Sequence, residues 1–239
     1  MLDAFKDFWQ KFFPEQNTMT REQALLAVDE ERAGDKSALP DSEMVPYQNA
    51  VAEIYGAYEG SRFAYATMEH ILTWVRFPRE HLVSLGSGPS AYELFLLEQG
   101  LVKSLTLIDQ SDKMLERARG IAKELGIEAA TFIHSDVKET QCRPKSADLL
   151  FCLNAMHWSK EWRRWIRECG RILKNNRQVV ITCTLKKPRS NIEPQELGAE
   201  IRKFFTVEHH NLLIPPQLIR GTELAEVSLR YIVIGRKKI

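Results

Sequence analysis

A short apolar run, a glycine-bearing turn and the start of a helix share residues 81–91, HLVSLGSGPSA, and no other stretch constrains the fold as strongly. The run at 82–85 is too short for a helix and stops at Gly86, so it predicts a buried strand. Gly88 and Pro89 follow, and the apolar residues 91–98 predict a helix. Unpaired N–H groups mark the start of such a helix, and glycines let a ligand approach the backbone. The stretch therefore predicts a site for an anion or a polar ligand group.

A second apolar run, residues 105–108, ends at an acid, Asp109. Its distance from the glycine turn fits a strand–helix–strand unit of roughly 30 residues. A carboxylate at the end of the second strand, beside a glycine turn, is the usual partner of a ribose diol. We therefore predict a nucleoside-containing cofactor that lies over the carboxyl ends of parallel strands.

Strand and helix patterns alternate through the rest of the chain. Further strands are predicted at 131–134, 147–153, 179–182, 206–214 and 227–235, and further helices at 112–125, 160–174 and 195–204. This order predicts an α/β fold: a Rossmann-like, doubly wound, mostly parallel seven-stranded sheet with an antiparallel edge strand. We expect this domain to span residues 77–239, after an N-terminal helical extension over residues 1–76.

Four motifs stand in a fixed order on this framework: Leu85–Pro89, Ile108–Leu115, His134–Val137 and Asp148–Trp158. Together they resemble the class I S-adenosylmethionine-dependent methyltransferase family, and within it the small-molecule methyltransferases related to the quinone-biosynthesis enzymes. The resemblance is clear over about residues 78–185. It implies S-adenosylmethionine as the cofactor, methyl transfer to a small-molecule acceptor, and a substrate lid formed by residues 1–76.

The resemblance also implies the residues that contact the cofactor, with Asp109 at the ribose and Asp136 on the adenine side. The full set is Ser84, Gly86, Ser87, Gly88, Asp109, Gln110, Met114, Asp136, Val137 and Asn154. Ser84 departs from the family pattern, which has an acid there for the methionine ammonium group, and Ser90 replaces a glycine. A lost carboxylate removes a charge-assisted hydrogen bond of about 1.5–3 kcal/mol. Cofactor binding is then weakened, rescued by another acid, or put to a reaction other than methyl transfer.

Methyl transfer mainly requires alignment of the acceptor and removal of a proton where needed. His157 follows the fourth predicted strand and is the candidate catalytic base, with a structural hydrogen bond as its other interpretation. Tyr47, Tyr55 and Trp158 are the candidate substrate contacts. The two tyrosines lie in a segment, 46–76, that predicts two helices broken near Gly60. No metal site is predicted.

Three alternatives remain open. The stretch Gly86–Ala91 satisfies G-x-G-x-x-G/A, so the turn by itself does not exclude NAD; Asp136 and the run after Asp109 favour the sulfonium cofactor. A chain of this fold could also act as an RNA- or protein-binding module, suggested by Ser84 and by the basic residues in 160–174. The third alternative keeps the cofactor but performs non-methylating chemistry on a lipid-like substrate. RNA is left open as a partner without being favoured, because Glu161 and Glu168 dilute the positive charge.

Residues 2–13 predict a helix with an aromatic face, which packs on the main domain, covers an apolar substrate or touches a membrane interface. On this basis we expect removal of residues 1–45 to leave the sheet domain folded and to impair turnover. No stretch approaches the roughly 20 apolar residues of a membrane span. The net charge is +1, and the four cysteines stand singly. A soluble, cytoplasmic protein with free thiols is therefore expected, and the oligomeric state is not readable from the sequence.

Overall fold

The computed structural model describes residues 1–13, 45, 49, 61–184, 192–213 and 230–239, with only the backbone at 61, 62 and 158. The described helices are α1 (Leu2–Phe12), α2 (Ser61–Trp74), α3 (Ala91–Glu98), α4 (Asp112–Glu124), α5 (Trp162–Ile172) and α6 (Pro194–Phe204), with a 3₁₀ turn at Met156–Trp158. The strands are β1 (Arg79–Leu85), β2 (Val102–Asp109), β3 (Ala130–His134), β4 (Ala147–Leu153), β5 (Leu173–Thr184), β6 (Phe205–Leu213) and β7 (Arg230–Lys237).

The seven strands form one sheet in the order β3-β2-β1-β4-β5-β7-β6. Strands β1 to β5 pair in parallel, whereas β7 pairs antiparallel with both β5 and β6. The predicted Rossmann-like sheet with an antiparallel element at one edge is confirmed. The antiparallel strand itself, β7, lies between β5 and β6, so β6 is the outermost strand. The order reverses between β1 and β4, and this places the ligand crevice of such folds at the carboxyl end of β1.

Two hydrophobic layers cover the sheet, because successive residues of a buried strand point to opposite faces. Leu82, Leu149 and Phe151 face the layer that contains α1, α2 and α3. Val83, Leu150 and Cys152 face the layer that contains α5 and α6. Near-continuous apolar strands are what a parallel sheet with both faces covered requires.

Helix α1 contributes its aromatic face to the first layer. Phe5 is fully buried, Trp9 is 1% exposed, and the Phe5 ring centroid lies 5.6 Å from that of Tyr92 and 5.1 Å from that of Phe95 on α3. The first interpretation of this helix, packing on the main domain, is confirmed. The face that the sequence offered to a membrane is buried within the fold. None of the described helices combines the length and apolarity that crossing a membrane requires.

The observed bounds differ most from the predicted ones at β5, which begins at Leu173 rather than at 179. Its first half pairs at Leu173 with Ala147 of β4, but residues 175–177 are exposed and polar. An exposed segment carries no hydrophobic pattern, so the periodicity marked only the buried half, which begins at Gln178. The predicted helices in 46–60, with Tyr47 and Tyr55, lie outside the described residues.

Candidate active site

The turn after β1 is held to the end of β2 by hydrogen bonds. The N–H of Gly88 donates to Oδ2 of Asp109 at 2.8 Å, and the N–H of Ser111 donates to Oδ1 of the same carboxylate at 2.9 Å. The N–H of Ser87 donates to the carbonyl of Ile108 at 3.0 Å. The turn and the predicted ribose-binding acid are therefore parts of one rigid unit.

The two glycines of the turn both have left-handed backbones, with φ of +63° at Gly86 and +53° at Gly88. A Cβ atom on Gly86 would lie 2.6 Å from Cβ of Ala155, whereas one on Gly88 would meet none of the described residues within 4 Å. Packing against the loop after β4 therefore requires glycine at position 86. Gly88 instead borders open space, which is what close approach of a ligand to the backbone needs.

Asp109 is a buried acid, 7% exposed. Burial raises the pKa of its carboxyl group above the usual range, and the backbone hydrogen bonds from Gly88 and Ser111 partly offset this effect. A buried carboxylate that already accepts two N–H bonds is fixed in direction and has lone pairs left for further donors. Hydroxyl groups of a ribose are donors of this kind.

A second buried acid, Glu93, lies on the first turn of α3 and is 1% exposed. The hydroxyl of Ser84, which is fully buried on β1, donates to Oε1 of Glu93 at 2.5 Å. Ser84 stands where the family pattern has an acid, and in the structure a carboxylate from α3 contacts this serine. A signal for it was present in the sequence, since Glu93 interrupts an otherwise apolar run from Ala91 to Leu97.

A pocket with an empty volume of about 420 Å³, part of it open to solvent, lies beside this pair. It is lined by the turn and α3, by α1, and by residues from the ends of β4, β5 and β7. The lining residues are Trp9, Phe13, Gly86, Ser87, Pro89, Ser90, Ala91, Tyr92, Glu93, Leu153, Asn154, Thr182 and Arg230. Three of them, Gly86, Ser87 and Asn154, were predicted as site residues, whereas the lining residues of α1, α3, β5 and β7 were not.

Two buried polar groups on the pocket wall have no hydrogen-bond partner among the described residues: Nε1 of Trp9 and the hydroxyl of Ser87. Buried donors without partners are rare in folded proteins, because each forfeits its hydrogen bonds to water. Arg230, 7% exposed, adds a cation to the same wall, with its guanidinium 4.6 Å from the Phe63 ring centroid.

Asn154 joins the ends of β4 and β5 at the edge of this pocket. Its backbone has a φ of +52°, and its N–H donates to the hydroxyl of Thr182 at 2.8 Å. Its side-chain carbonyl accepts from the hydroxyl of Thr184 at 3.1 Å. The predicted cofactor contact at Asn154 thus lies where the sequence expected it, at the carboxyl edge of the sheet.

Asp136, predicted on the adenine side, and the predicted cofactor contacts Val137, Met114 and Gln110 lie after the ends of β2 and β3. Asp136 is exposed and accepts the N–H of Lys138 at 2.8 Å, while Val137 and Met114 are 1% exposed and Gln110 is half-buried. The hydroxyl of Ser111 donates to the side chain of Asn49 at 2.6 Å. Asn49 therefore contacts the framework directly beside Asp109.

The candidate residues for catalysis and for substrate contact are placed less directly. His157 lies in the 3₁₀ turn after β4, is 3% exposed, and is absent from the pocket wall formed by the described residues. Its role as a base stays a prediction. Tyr47, Tyr55 and the side chain of Trp158 lie outside the described residues, so their contacts with a substrate also stay predictions.

Carboxylates neutralise much of the basic face of α5, which had suggested RNA. Arg163 pairs with Glu196 at 2.8 Å, Arg164 pairs with Glu161 at 3.1 Å, and Arg171 pairs with Glu168 at 2.7 Å. These ion pairs favour the interpretation of a solvated helix face.

Residues 83–181 match the family model described as a methyltransferase domain. This match covers the turn, Glu93, Asp109 and most of strands β1 to β5. The strand order reverses between β1 and β4, which places the ligand crevice at the end of β1. Residues 83–181 are therefore a methyltransferase domain, of the class I type whose cofactor is S-adenosylmethionine. No curated protein matches the sequence significantly.

Solved structures share the fold at low sequence identity. The protein bound to the Trm112 methyltransferase activator of Haloferax volcanii is 16% identical, with a TM-score of 0.64 over 80% of this chain and 98% of that one. The N-methyltransferase NodS of Bradyrhizobium japonicum, in complex with S-adenosylhomocysteine, is 12% identical, with a TM-score of 0.63 over 82% and 97%. The [4+2]-cyclase SpnF is 15% identical, with a TM-score of 0.61 over 74% and 81%. The three likenesses show the fold.

Proposed function

We propose that the protein transfers the methyl group of S-adenosylmethionine to a small-molecule acceptor with an apolar, quinone-like or other aromatic portion. The observation that carries this proposal is the glycine turn that is hydrogen-bonded to Asp109 and opens into a pocket with aromatic walls. The turn and the acid suit the nucleoside part of the cofactor. The aromatic side chains of Trp9, Phe13 and Tyr92 suit a flat apolar acceptor.

On this proposal Asp109 accepts the ribose hydroxyls, and the open side of Gly88 admits the cofactor close to the backbone. Asp136, Val137, Met114 and Gln110 surround the adenine. When bound, S-adenosylmethionine supplies an activated methyl group on its sulfonium. The protein then has to exclude water, orient the acceptor and accept a proton where the acceptor must lose one.

The acceptor side of the pocket is proposed from α1 and from the segment that precedes α2. Trp9 lines the pocket, and its buried indole N–H has no partner among the described residues, so we propose it as a donor to an oxygen of the acceptor. Tyr47, Tyr55 and Trp158 are proposed as further substrate contacts, and His157 as the base. We also propose a lid formed by residues 1–76, which the contact between Asn49 and Ser111 beside Asp109 supports.

The test is calorimetric titration with S-adenosylhomocysteine and, separately, with NAD. We expect binding of the first and none of the second. Asp109→Ala should weaken binding of S-adenosylhomocysteine by about tenfold or more, since the diol loses a charged acceptor worth about 1.5–3 kcal/mol. Asp112→Ala is the matched control, because Asp112 is nearby but its side chain is 58% exposed. An unchanged dissociation constant in Asp109→Ala would remove the ribose from this position, and binding of NAD alone would overturn the proposal.

Turnover is tested by mass spectrometry of a panel of phenols, quinols, carboxylates and amines incubated with the enzyme and S-adenosylmethionine. A mass increase of one methylene unit in an aromatic acceptor is the expected result. Cofactor binding without methylation of any acceptor would instead favour the non-methylating alternative. We also propose the cytoplasm as the location, supported by four free cysteines, three of which are buried.

A further inference from the structure

Arg79, the first residue of β1, is a buried cation that lacks a counter-ion within the described part of the chain. Its side chain is 9% exposed. Its Nη2 donates to Oε1 of Gln178 at 2.7 Å, whereas its Nε is buried and has no hydrogen-bond partner among the described residues. Asp148 attracts its charge, but that carboxylate already pairs with Lys174 at 2.8 Å and Arg177 at 3.3 Å. Charged side chains are rarely buried without a partner, because desolvation strongly disfavours an isolated charge.

Three further arginines lie around Arg79. Oε1 of Gln178 also accepts the backbone N–H of Arg76 at 2.9 Å, and Gln178 stands opposite Arg236 of β7 in the sheet. Burial lowers the pKa of the Arg79 guanidinium, and repulsion from Arg177, Arg236 and Arg76 lowers it further. The buried cation therefore lies in a field of positive charge from three neighbouring guanidinium groups.

The carboxylates nearby do not balance this charge. Glu208 pairs with Arg236 at 2.6 Å, and Asp148 is shared between Lys174 and Arg177. The four arginines and Lys174 thus face two acids, and the excess charge is positive. An excess of this kind attracts anions, and most strongly those with more than one negative charge.

The arginines lie at the opposite edge of the sheet from the pocket. Arg79 begins β1 and the glycine turn follows its last residue, so about 20 Å of strand separates them. Solvent reaches this edge, because Arg76 is exposed and the side chain of Arg177 is 45% exposed. An anion can therefore approach without entering the pocket.

We propose that Arg76, Arg79, Arg177 and Arg236 form a second binding site, which takes a phosphate group. Guanidinium groups donate in a planar fork that matches the oxygens of phosphate. A phosphate dianion offsets the excess charge better than a carboxylate, which carries a single charge. The exposed arginines contact the phosphate, and the buried ones add charge that water screens little. A small molecule and an RNA backbone both present this chemistry.

The test compares sodium phosphate with sodium chloride of equal ionic strength, in calorimetry and thermal denaturation. Phosphate at about ten times its dissociation constant should raise Tm by about 3–5 °C. Arg76→Gln should weaken phosphate binding by about tenfold, the usual result of losing a charge-assisted hydrogen bond, and the exposed position protects the fold. Arg167→Gln is the matched control, since Arg167 is exposed on α5 and has no ion pair among the described residues.

Two more measurements complete the test. Arg79→Gln should lose most of the rise in Tm that phosphate causes. Fluorescence anisotropy of a labelled single-stranded RNA identifies the source of the phosphate: RNA binding that Arg76→Gln weakens and Arg167→Gln does not points to the RNA backbone, and phosphate binding alone points to a small molecule. Binding of neither probe, equal effects of Arg76→Gln and Arg167→Gln, or displacement of phosphate by S-adenosylhomocysteine would overturn the proposal.

Discussion

Gly86 and Gly88 differ in what surrounds them although they share a backbone conformation. At either position an added side chain would destabilise the fold by about 1–2 kcal/mol, because the backbone φ is left-handed. At Gly86 a methyl group would also collide with Ala155 and approach the Trp165 ring to 3.1 Å. At Gly88 the added methyl group would point into the open space beside the turn. One glycine therefore serves packing and the other serves access.

We predict that the two alanine variants differ in which property they impair most, stability or ligand binding. Gly86→Ala should lower the free energy of unfolding by about 2–5 kcal/mol, the sum of the backbone penalty and an overpacking cost. Gly88→Ala should lower the free energy of unfolding only by the backbone penalty, but it should bind S-adenosylhomocysteine more weakly. Urea denaturation and calorimetry measure the two effects. Gly100→Ala is the control, since Gly100 has a φ of +67° and no atom within 4 Å of an added Cβ. Equal stability of the two turn variants would contradict the packing role of Gly86.

Helix α1 belongs both to the hydrophobic layer and to the pocket wall. Phe5 and Phe8 pack on Phe95 of α3, while Trp9 and Phe13 line the pocket. The expectation that the sheet domain folds without residues 1–45 was based on the apparent independence of an N-terminal extension. The burial of these rings makes α1 a structural part of the first layer. Helix α1 therefore contributes both to the hydrophobic core and to the pocket wall.

We predict that Phe5→Ala destabilises the protein by about 3–5 kcal/mol, because it removes a fully buried ring and leaves a cavity. Lys6→Ala on the exposed face should change stability by less than about 0.5 kcal/mol. Thermal denaturation compares the two variants. Deletion of residues 1–13 should lower the stability more than Phe5→Ala does. A truncated protein that melts like the full chain would show that α1 is only a lid.

Two buried acids of the molecule, Glu168 and Asp109, have pKa values that are shifted in opposite directions. Glu168 is 6% exposed and accepts from Arg171 through both oxygens, and from the N–H and hydroxyl of Thr140. Burial alone would raise its pKa, but the bonds to Arg171 and Thr140 outweigh burial and lower it. Burial raises the pKa of Asp109, so its shift has the opposite sign. Ionised Asp109 therefore lowers the stability of the protein at neutral pH in the absence of a ligand.

We predict that Glu168 contributes to stability at neutral pH and ceases to do so in acid. Its folded pKa lies below the ordinary value of 4.5, so the stabilisation is complete above that value and is lost as the pH falls through the folded pKa. Glu168→Gln should cost about 1.5–3 kcal/mol at pH 7, the range for hydrogen bonds to a charged group. Urea denaturation between pH 7 and pH 3 should show the difference from wild type shrinking. Glu124→Gln, an exposed acid on α4, is the control. A constant difference over this range would contradict the assignment.

Local patterns were sufficient to predict the α/β class and most of the framework. The apolar runs at 82–85 and 147–153, the glycine turn and Asp109 each depend on residues that are close in sequence, and each lies where the pattern placed it. Periodicity and turn chemistry are local properties, so a single sequence reveals them. The exposed start of β5 was missed because exposed residues carry no periodic signal.

Only the tertiary structure showed which residues line the pocket and that the carboxylate of Glu93 lies against Ser84. Trp9, Glu93 and Arg230 come from the beginning, the middle and the end of the chain, and only the packed helices and the insertion of β7 bring them to one wall. Proximity of this kind depends on how faces pack, and hydrophobic pattern does not report it. The sequence by itself predicted a nucleoside beside Asp109, because the glycine turn and the acid are local signals, whereas only the fold showed which carboxylate and which aromatic rings line the pocket.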